Sequence, residues 1–321
     1  MSTMKAVRIH QYGGPEVLKY EDAPRPQPRE GDVLVRVHAA GVNPVDWKAR
    51  QGHLQKTISY PLPMIPGWDL SGTVESLGPA ASGLAVGDEV YGRPDIARDG
   101  AYAEYIVVRA GELAKKPRSI DHVHAAAVPL AALTAWQALF EAPEPYSSIG
   151  LAPGQTVLVH AAAGGVGSFA VQLAKWRGAR VIATGSAQNE SFLRELGADQ
   201  FVDYTRQRFE DVVHGVDAVF DTVGGETQSR SWRVLKPGGV LVSILSRPSE
   251  ADAKAHAARA AYVFVQPDAA QLGEIARLID AKVVKPILAE VLPLAQARQA
   301  HELSQTGHVR GKIVLTVAGR Q

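Results

Sequence analysis

The stretch Thr156 to Ser186, TVLVHAAAGGVGSFAVQLAKWRGARVIATGS, leaves the chain few ways to fold. Val157 to His160 is a strand-like apolar run, and Ala161 to Gly167 is a turn of small residues. Beyond it Val166, Phe169, Ala170, Leu173 and Ala174 recur at helical spacing on one face. Gly178 is placed to stop that helix, and Arg180 to Thr184 reads as a second short strand. Strand, glycine turn, helix and strand make the βαβ unit whose turn accommodates a dinucleotide.

The glycines explain the chemistry. A pyrophosphate is doubly negative and rests against free backbone N–H groups at a helix N-terminus, where side chains would hold it off. Gly164 lets backbone approach phosphate, and Gly167 lets the helix pack on the strand. The motif is Ala162-x-Gly164-x-x-Gly167, with alanine in place of the usual first glycine. An NAD site carries Asp or Glu about 20 residues further on, to take the ribose 2′-hydroxyl. Here the second strand runs into Thr184-Gly185-Ser186-Ala187-Gln188-Asn189, with no acid before Glu190. A carboxylate would repel a 2′-phosphate, so its absence favours NADPH. Ser186 also reads as the N-cap of the following helix.

With 321 residues, 46% of them apolar, the chain is long enough for two domains with sizeable cores. Its 34 basic and 33 acidic residues nearly cancel, which leaves no electrostatic footprint for nucleic acid or an anionic membrane. There is no cysteine, so disulfides, thiolate metal sites and thiol nucleophiles are excluded, and a reducing compartment fits. The N-terminal MSTMKAVRIHQYGG lacks an apolar signal core, and the most apolar long run, Ala125 to Phe140, is too short and too polar to span a bilayer. A cytoplasmic protein is expected.

Before the glycine motif the chain is rich in short strand signals: Met4 to Ile9, Val17 to Glu21, Asp32 to Ala40, Asp69 to Leu77, Gly87 to Gly92 and Ala101 to Val108. Gly and Pro turns separate them, which predicts a β-rich, barrel-like domain. Asp46 to Gln51 predicts a short helix, and Ala125 to Phe140 one buried helix. After the motif α and β signals alternate. Strands are expected at Gln200 to Asp203, Val216 to Asp221, Val240 to Leu245 and Tyr262 to Val265. Helices are expected at Ser191 to Gly197 and Glu226 to Leu235, with a turn at Lys236 to Gly239. Six strands with crossover helices predict a doubly wound parallel sheet. Ala269 to Ala281 and Leu294 to Gln305 read as helices and Lys312 to Val317 as a strand that returns to the first domain. The expected division is 1–125 plus 270–321 for the β-rich domain, with 126–269 inserted as the dinucleotide domain.

The strings GVNPVD (41–46), PGWDLSG (66–72), GDEVYG (87–92), GAYAEYIVV (100–108), VPLAALTAWQAL (128–139), VLVHAAAGGVG (157–167) and LKPGGVLVS (235–243) run along nearly the whole chain. On these the sequence resembles the zinc-independent medium-chain dehydrogenases/reductases of the quinone oxidoreductase type. The resemblance implies an α/β fold, a Rossmann sheet inserted into a β-rich GroES-like barrel domain. It also implies NADPH in a cleft between the two domains. Zinc-using relatives have a cysteine where Asn43 stands and a histidine where Trp68 stands, so no metal is expected. His122 and His124 have no matching third ligand and read as surface or capping residues.

The resemblance carries roles onto particular residues. Asn43 matches an asparagine near the nicotinamide ribose, though it also suits a turn before Pro44. Thr134 matches a threonine facing the carboxamide, or bonds back to its own helix. Gly164, Gly165, Val166 and Gly167 match the phosphate loop. Ser186, Asn189 and Tyr204 match positions around the 2′-phosphate, with asparagine at 189 where many relatives have lysine. Ser243, Phe264 and Val265 match strand ends near the nicotinamide, where a turn-capping hydroxyl and core packing are the other readings. Lys312 matches the tail that revisits the cofactor, or is a solvated lysine. Lys48, following NPVD, aligns the chain with the enone and alkenal reductase branch and is the candidate catalytic residue, able to donate to a developing enolate or to position the nicotinamide; a solvated surface lysine, with water as the proton source, is the other reading. The implied activity is metal-free hydride transfer from NADPH to a quinone or an α,β-unsaturated carbonyl. The other readings are a non-enzymatic NADPH-binding sensor or structural protein, and an alcohol dehydrogenase. A homodimer paired through the sheet edge near Tyr262 to Val265 is the assembly the resemblance suggests.

Overall fold

The computed structural model describes residues 2–317. Its packing divides the chain into two compact units, one made of Met1–Leu130 with Pro267–Gln321, the other of Ala131–Gln266.

The first unit is built on strands. β1 (Thr3–Ile9) and β2 (Leu18–Pro24) pair antiparallel. β3 (Asp32–Val42) is followed by helix α1 (Pro44–Arg50), then β4 (Leu70–Leu77), β5 (Glu89–Gly92), β6 (Tyr105–Arg109), β7 (Leu113–Lys115) and the short helix α2 (His122–Ala126). β3 is the centre of this unit. It pairs antiparallel with β4 and with β6, and Val33, Val35 and Val37 are all buried in the main apolar cluster. Alternating valines on an eleven-residue strand suit a pleated surface that buries its face. The strand expected at Ala101 to Val108 begins only at Tyr105. Ala101 and Tyr102 instead donate backbone hydrogen bonds to the carbonyls of Gly67 and Pro66, so loop pairing takes the groups a ladder would use.

The apolar run expected as one helix is two. α2 ends at Ala126, and α3 (Pro129–Leu139) begins on its proline. Proline lacks the N–H and clashes with the preceding turn, so it starts a helix rather than continuing one.

The second unit holds β8 (Thr156–Val159), α4 (Gly165–Trp176), β9 (Arg180–Gly185), α5 (Glu190–Glu195), β10 (Gln200–Asp203), β11 (Val216–Asp221), α6 (Gly225–Ser231), β12 (Leu235–Ser243), α7 (Glu250–Ala255) and β13 (Arg259–Tyr262). The six strands form one parallel sheet in the order β10-β9-β8-β11-β12-β13. The order reverses between β8 and β11, and ligands of such sheets bind at the strand C-termini there. The expected turn at Lys236 to Gly239 is an irregularity inside β12, where the register with β11 shifts between Val216 and Ala218. The helix expected to Leu235 ends at Ser231 and tightens into a single 3₁₀ turn over Trp232–Val234. The sixth strand lies three residues earlier than Tyr262 to Val265. Its partner β12 ends at Ser243, opposite Tyr262, so the chain beyond Val263 has no neighbouring ladder.

After Pro267 the chain returns to the first unit with α8 (Ala269–Asp280), β14 (Leu288–Pro293), α9 (Ala297–Gln305) and β15 (Lys312–Thr316). β15 lies antiparallel to β3 from Ala39 to Val42, the closing strand expected from the sequence. β14 follows it in parallel and was not legible in the sequence.

Candidate functional site

The glycine turn of the second unit is built as its chemistry requires. After β8, Ala161 takes a left-handed conformation with φ 44°, and Ala162 N–H donates to Thr184 O at 3.0 Å. Gly164 is the N-cap of α4 and offers no side chain, and the first amide taken up within the helix is that of Ser168, bonded to Gly164 O at 2.9 Å. The N–H groups of Gly165, Val166 and Gly167 precede it, the orphan donors of a helix N-terminus. The two motif glycines differ in what they permit. A Cβ on Gly167 would lie 2.4 Å from Ala161 O and 2.6 Å from Ala162 Cα, so the loop itself excludes any side chain there. A Cβ on Gly164 would meet only Ala161 O, at 3.3 Å. Gly164, at the N-cap, therefore borders open space on its Cβ side apart from that carbonyl.

At the end of β9, Asn189 Nδ2 donates to Ser186 Oγ at 3.1 Å. Ser186 makes no side-chain bond to the backbone of the turn that follows, so its expected N-cap contact is replaced by this one. Tyr204 is 53% exposed, and its amide donates to Gly185 O at 3.2 Å, which places it beside the same turn. A hollow of about 330 Å³ next to it is lined by Ala187, Glu190, Phe201, Asp203, Arg206 and Gln207. Asp203 was not foreseen there. Its carboxylate is engaged by the Thr205 amide and hydroxyl, at 3.0 and 2.7 Å, and by Arg206 at 3.4 Å.

Ser243 is fully buried. Its hydroxyl donates to Asp221 Oδ2 at 2.8 Å and accepts from Leu245 N at 3.2 Å, so it ties the ends of β11 and β12 and caps the turn. Phe264 and Val265 follow β13. Gln137 of α3 clamps that segment, donating to Gln266 O and accepting from Gln266 N, both at 2.9 Å. Thr134 is buried one turn before Gln137, on the same face of α3.

In the first unit Asn43 and Lys312 come together around a residue that the sequence reading did not single out, Asp69. Its carboxylate accepts from Asn43 Nδ2 at 2.8 Å, Lys312 Nζ at 3.1 Å and Leu130 N at 2.6 Å. Lys312 Nζ also donates to Val42 O at 3.0 Å and to Asn43 Oδ1. An ammonium has three hydrogens, and all three are spent within the cluster. Lys312 is 4% exposed, so the solvated reading is wrong. Burial pushes the Asp69 carboxyl up, against the opposing charge of Lys312 and the three donors. Asn43 keeps one Nδ2 hydrogen uncommitted in this arrangement.

A second buried chain begins at the same helix. Asp46 Oδ2 accepts from Asn43 N at 2.8 Å and from Tyr102 OH at 2.9 Å, while Oδ1 has no hydrogen-bond partner among the described residues. Tyr102 OH lies 3.3 Å from His301 Nε2 on α9, and His301 Nδ1 lies 3.4 Å from Arg50 Nη1. Burial raises Asp46 to about 7 and lowers His301 to about 3. Asp46, Asp69 and Tyr102 all stand in the strings GVNPVD, PGWDLSG and GAYAEYIVV, which was the available signal. Lys48, on the last turn of α1, is half-buried. Its Nζ lies 5.6 Å from the Trp47 ring centroid and has no hydrogen-bond or ion-pair partner among the described residues. Burial alone pulls its pKa down.

The donor set does not fit a zinc ion. Trp68 is fully buried and donates from Nε1 to Arg98 O at 3.1 Å. No group of three or more His, Asp or Glu side chains converges as a metal site among the described residues, and the sequence has no cysteine. His122 is bonded to Ser71 at 2.8 Å and Glu89 at 3.2 Å, and His124 to Asp121 at 2.7 Å, where Asp121 is the helix cap.

A doubly wound parallel sheet with an open glycine turn, carried on one chain with a β-rich unit closed by its own C-terminal strand, is the architecture of a two-unit α/β dehydrogenase. Comparison with known proteins makes this specific. Residues 29–118 match the family profile described as alcohol dehydrogenase GroES-like domain, and residues 196–315 that described as zinc-binding dehydrogenase. The chain is 36% identical to 2-methylene-furan-3-one reductase of Solanum lycopersicum, covering 98% of this chain and 79% of that protein. It is 35% identical to the chloroplastic NADPH-dependent alkenal/one oxidoreductase of Arabidopsis thaliana, covering 97% and 79%. The solved quinone oxidoreductase of Coxiella burnetii superposes with a TM-score of 0.90 at 36% identity, over 99% of this chain and all of that one. The chain belongs to the medium-chain dehydrogenase/reductase family, among its quinone oxidoreductases and alkenal/enone reductases.

Proposed function

We propose that the protein is an NADPH-dependent reductase of quinones or α,β-unsaturated carbonyls, working without a metal ion. The observation that carries this reading is the turn Ala161–Gly167, where the first amides of α4 have no acceptor within the helix and a Cβ on the N-cap Gly164 would meet only Ala161 O. Bound NADPH supplies a hydride, which the acceptor takes with one proton.

The roles divide by unit. In the parallel-sheet unit, the amides of Gly165, Val166 and Gly167 hold the pyrophosphate, with the helix dipole adding to the attraction. Ser186, Asn189 and the exposed Tyr204 offer hydroxyl and amide groups to the 2′-phosphate. Thr134, Ser243, Phe264 and Val265 serve the nicotinamide end, Ser243 by fixing the strand termini through Asp221. In the β-rich unit, Asn43 gives its remaining Nδ2 hydrogen to a ribose hydroxyl. Lys312 is a positioning residue, since every donor it has is spent on Asn43, Val42 and Asp69. Lys48 has an unpartnered ammonium made more acidic by burial, which suits it to donate to oxygen charge developing on an enolate.

With no metal-ligand cluster among the described residues, alcohol oxidation has no Lewis acid to stabilise an alkoxide. Reduction of a polarised alkene or quinone needs only a positioned hydride donor and an accessible proton. We also propose a cytoplasmic homodimer. Among the described residues β13 is an edge strand that pairs only with β12, and the segment from Arg259 to Val265 is the side at which two sheets would join. The lack of cysteine suits a reducing compartment, although relatives include chloroplastic proteins. No helix among the described residues is long and apolar enough to cross a membrane.

The test is a steady-state assay of NADPH oxidation with small enones and with simple quinones in turn. Turnover of one class over the other assigns the acceptor. No oxidation with either overturns the reading.

A further inference from the structure

Of the buried polar groups of the β-rich unit with an atom that lacks a hydrogen-bond partner, two lie on either side of one dipeptide. Arg93 follows β5 directly and is 2% exposed. None of its nitrogens makes a hydrogen bond or ion pair among the described residues, and Nε is wholly enclosed. Tyr60 is 8% exposed, and its hydroxyl is likewise enclosed and unpartnered. The β4–β5 register pairs Leu70 with Gly92, which brings Arg93 alongside Asp69. The Tyr60 ring packs on Trp68, with centroids 6.0 Å apart. Each is near enough to feel the other's charge. Both therefore flank Trp68-Asp69, next to the cluster that fixes Asn43.

An unpaired buried guanidinium is among the costliest groups a fold can carry, and it normally has a carboxylate to meet. The carboxylates nearest Arg93 are already committed: Asp69 to Asn43, Lys312 and Leu130, Asp95 to Arg109, and Glu112 to Asp95 N and Arg109. Desolvation is the main influence on both groups, pulling the arginine down and the tyrosine up. A guanidinium offers a planar fork that fits a carboxylate with two parallel bonds, and a phenol adds a third donor.

We propose that Arg93 and Tyr60 form an oxyanion-binding pair that receives a carboxylate on the acceptor, so that the preferred substrates are enones or quinones bearing an acid group. This rests on the reductase reading. It adds a specificity site that the cofactor residues do not account for.

Acetylacrylate carries that charge and its methyl ester does not; the ester also has one more methyl group and a more electrophilic alkene, so the decisive reading is the change in the acid-to-ester ratio between the wild type and the Arg93 variants. With saturating NADPH, kcat/KM for the acid is expected to exceed that for the ester by about 100-fold, the loss typical of leaving a buried charge unpaired. Arg93→Gln brings the acid-to-ester ratio close to one, and Tyr60→Phe lowers it by about 5-fold. Levulinate, which cannot be reduced at the missing double bond, should bind the NADP⁺-loaded protein by calorimetry, with affinity lost in Arg93→Gln. If that variant fails to fold, Arg93→Lys keeps the charge, loses the fork, and should still lower the ratio. The proposal is overturned if the wild type treats acid and ester alike, if Arg93→Gln lowers both equally, or if levulinate does not bind. NADPH uptake and turnover of the ester test the reductase reading separately: both can succeed while the acid preference is absent.

Discussion

Lys312 Nζ and the Asp69 carboxylate meet at 3.1 Å across 243 residues of sequence, with neither side chain open to solvent. The pair holds Asn43 from both ends, Lys312 on its oxygen and Asp69 on its nitrogen. Removing one partner strands the other as an unpaired buried charge. Asp69→Asn or Lys312→Met is expected to cost about 3–5 kcal/mol of unfolding free energy. The double variant Asp69→Asn/Lys312→Met should cost clearly less than the sum, because no lone charge is left. Urea unfolding of the three variants checks this, and simple additivity would contradict it.

Asp46 gives the fold a pH dependence of definite sign. Its pKa is about 7 in the folded chain, because burial outweighs the bonds from Asn43 N and Tyr102, against an ordinary value near 4. The folded state holds the proton more tightly than the unfolded one. The stability this confers is complete below about pH 4 and is lost as pH rises to about 7, on the order of 4 kcal/mol. Asp46→Asn should abolish that slope, as measured by chemical denaturation across the range. An unchanged slope would show that folding leaves this carboxyl's pKa at its ordinary value.

Much of this was legible in the sequence, for reasons that differ by residue. The βαβ unit stood out because helical spacing after a small-residue turn is a local signal, and Gly178 ends α4 with φ 83° as a helix stop does. The break at Pro129 was written in the chain, but the apolar composition around it hid it. Lys312 could not be read correctly. A lysine in KIVLTV has the same local sequence whether solvated or buried, and only the antiparallel pairing of β15 with β3 brings it to Val42 and Asn43. Asp46 has the same problem, since its partners Tyr102 and His301 are set by tertiary folding and not by spacing.

The Lys48 ammonium has no hydrogen-bond or ion-pair partner among the described residues. Lys48→Met should lower kcat on enones by about 100-fold while leaving NADPH affinity near that of the wild type. Because burial lowers its pKa, wild-type kcat should fall at alkaline pH as Lys48 loses its proton, earlier than an exposed lysine would. The variant should lack that limb. Unaltered kcat and pH profile in Lys48→Met would assign the proton to water.

Metal removal should have no effect. Asn43 and Trp68 stand where the sequence resemblance implies the ligands of zinc-using relatives, and both side chains are engaged in hydrogen bonds to protein groups. Prolonged treatment with a strong chelator is expected to leave NADPH oxidation and thermal stability unchanged. Loss of activity restored by zinc would contradict the metal-free account.

The central claim is tested most directly by titrating NADPH into the wild type and into Gly164→Val, with calorimetry as the readout. A Cβ at Gly164 would meet only Ala161 O, at 3.3 Å, which asks that carbonyl to give by a few tenths of an ångström, and Gly164 has an extended backbone that any residue adopts, so the variant should fold. The account predicts a clear heat of binding in the wild type and at least about 100-fold weaker affinity in the variant, since the branched side chain covers the free amides of α4. No heat with the wild type, or equal affinity in the two proteins, would contradict it.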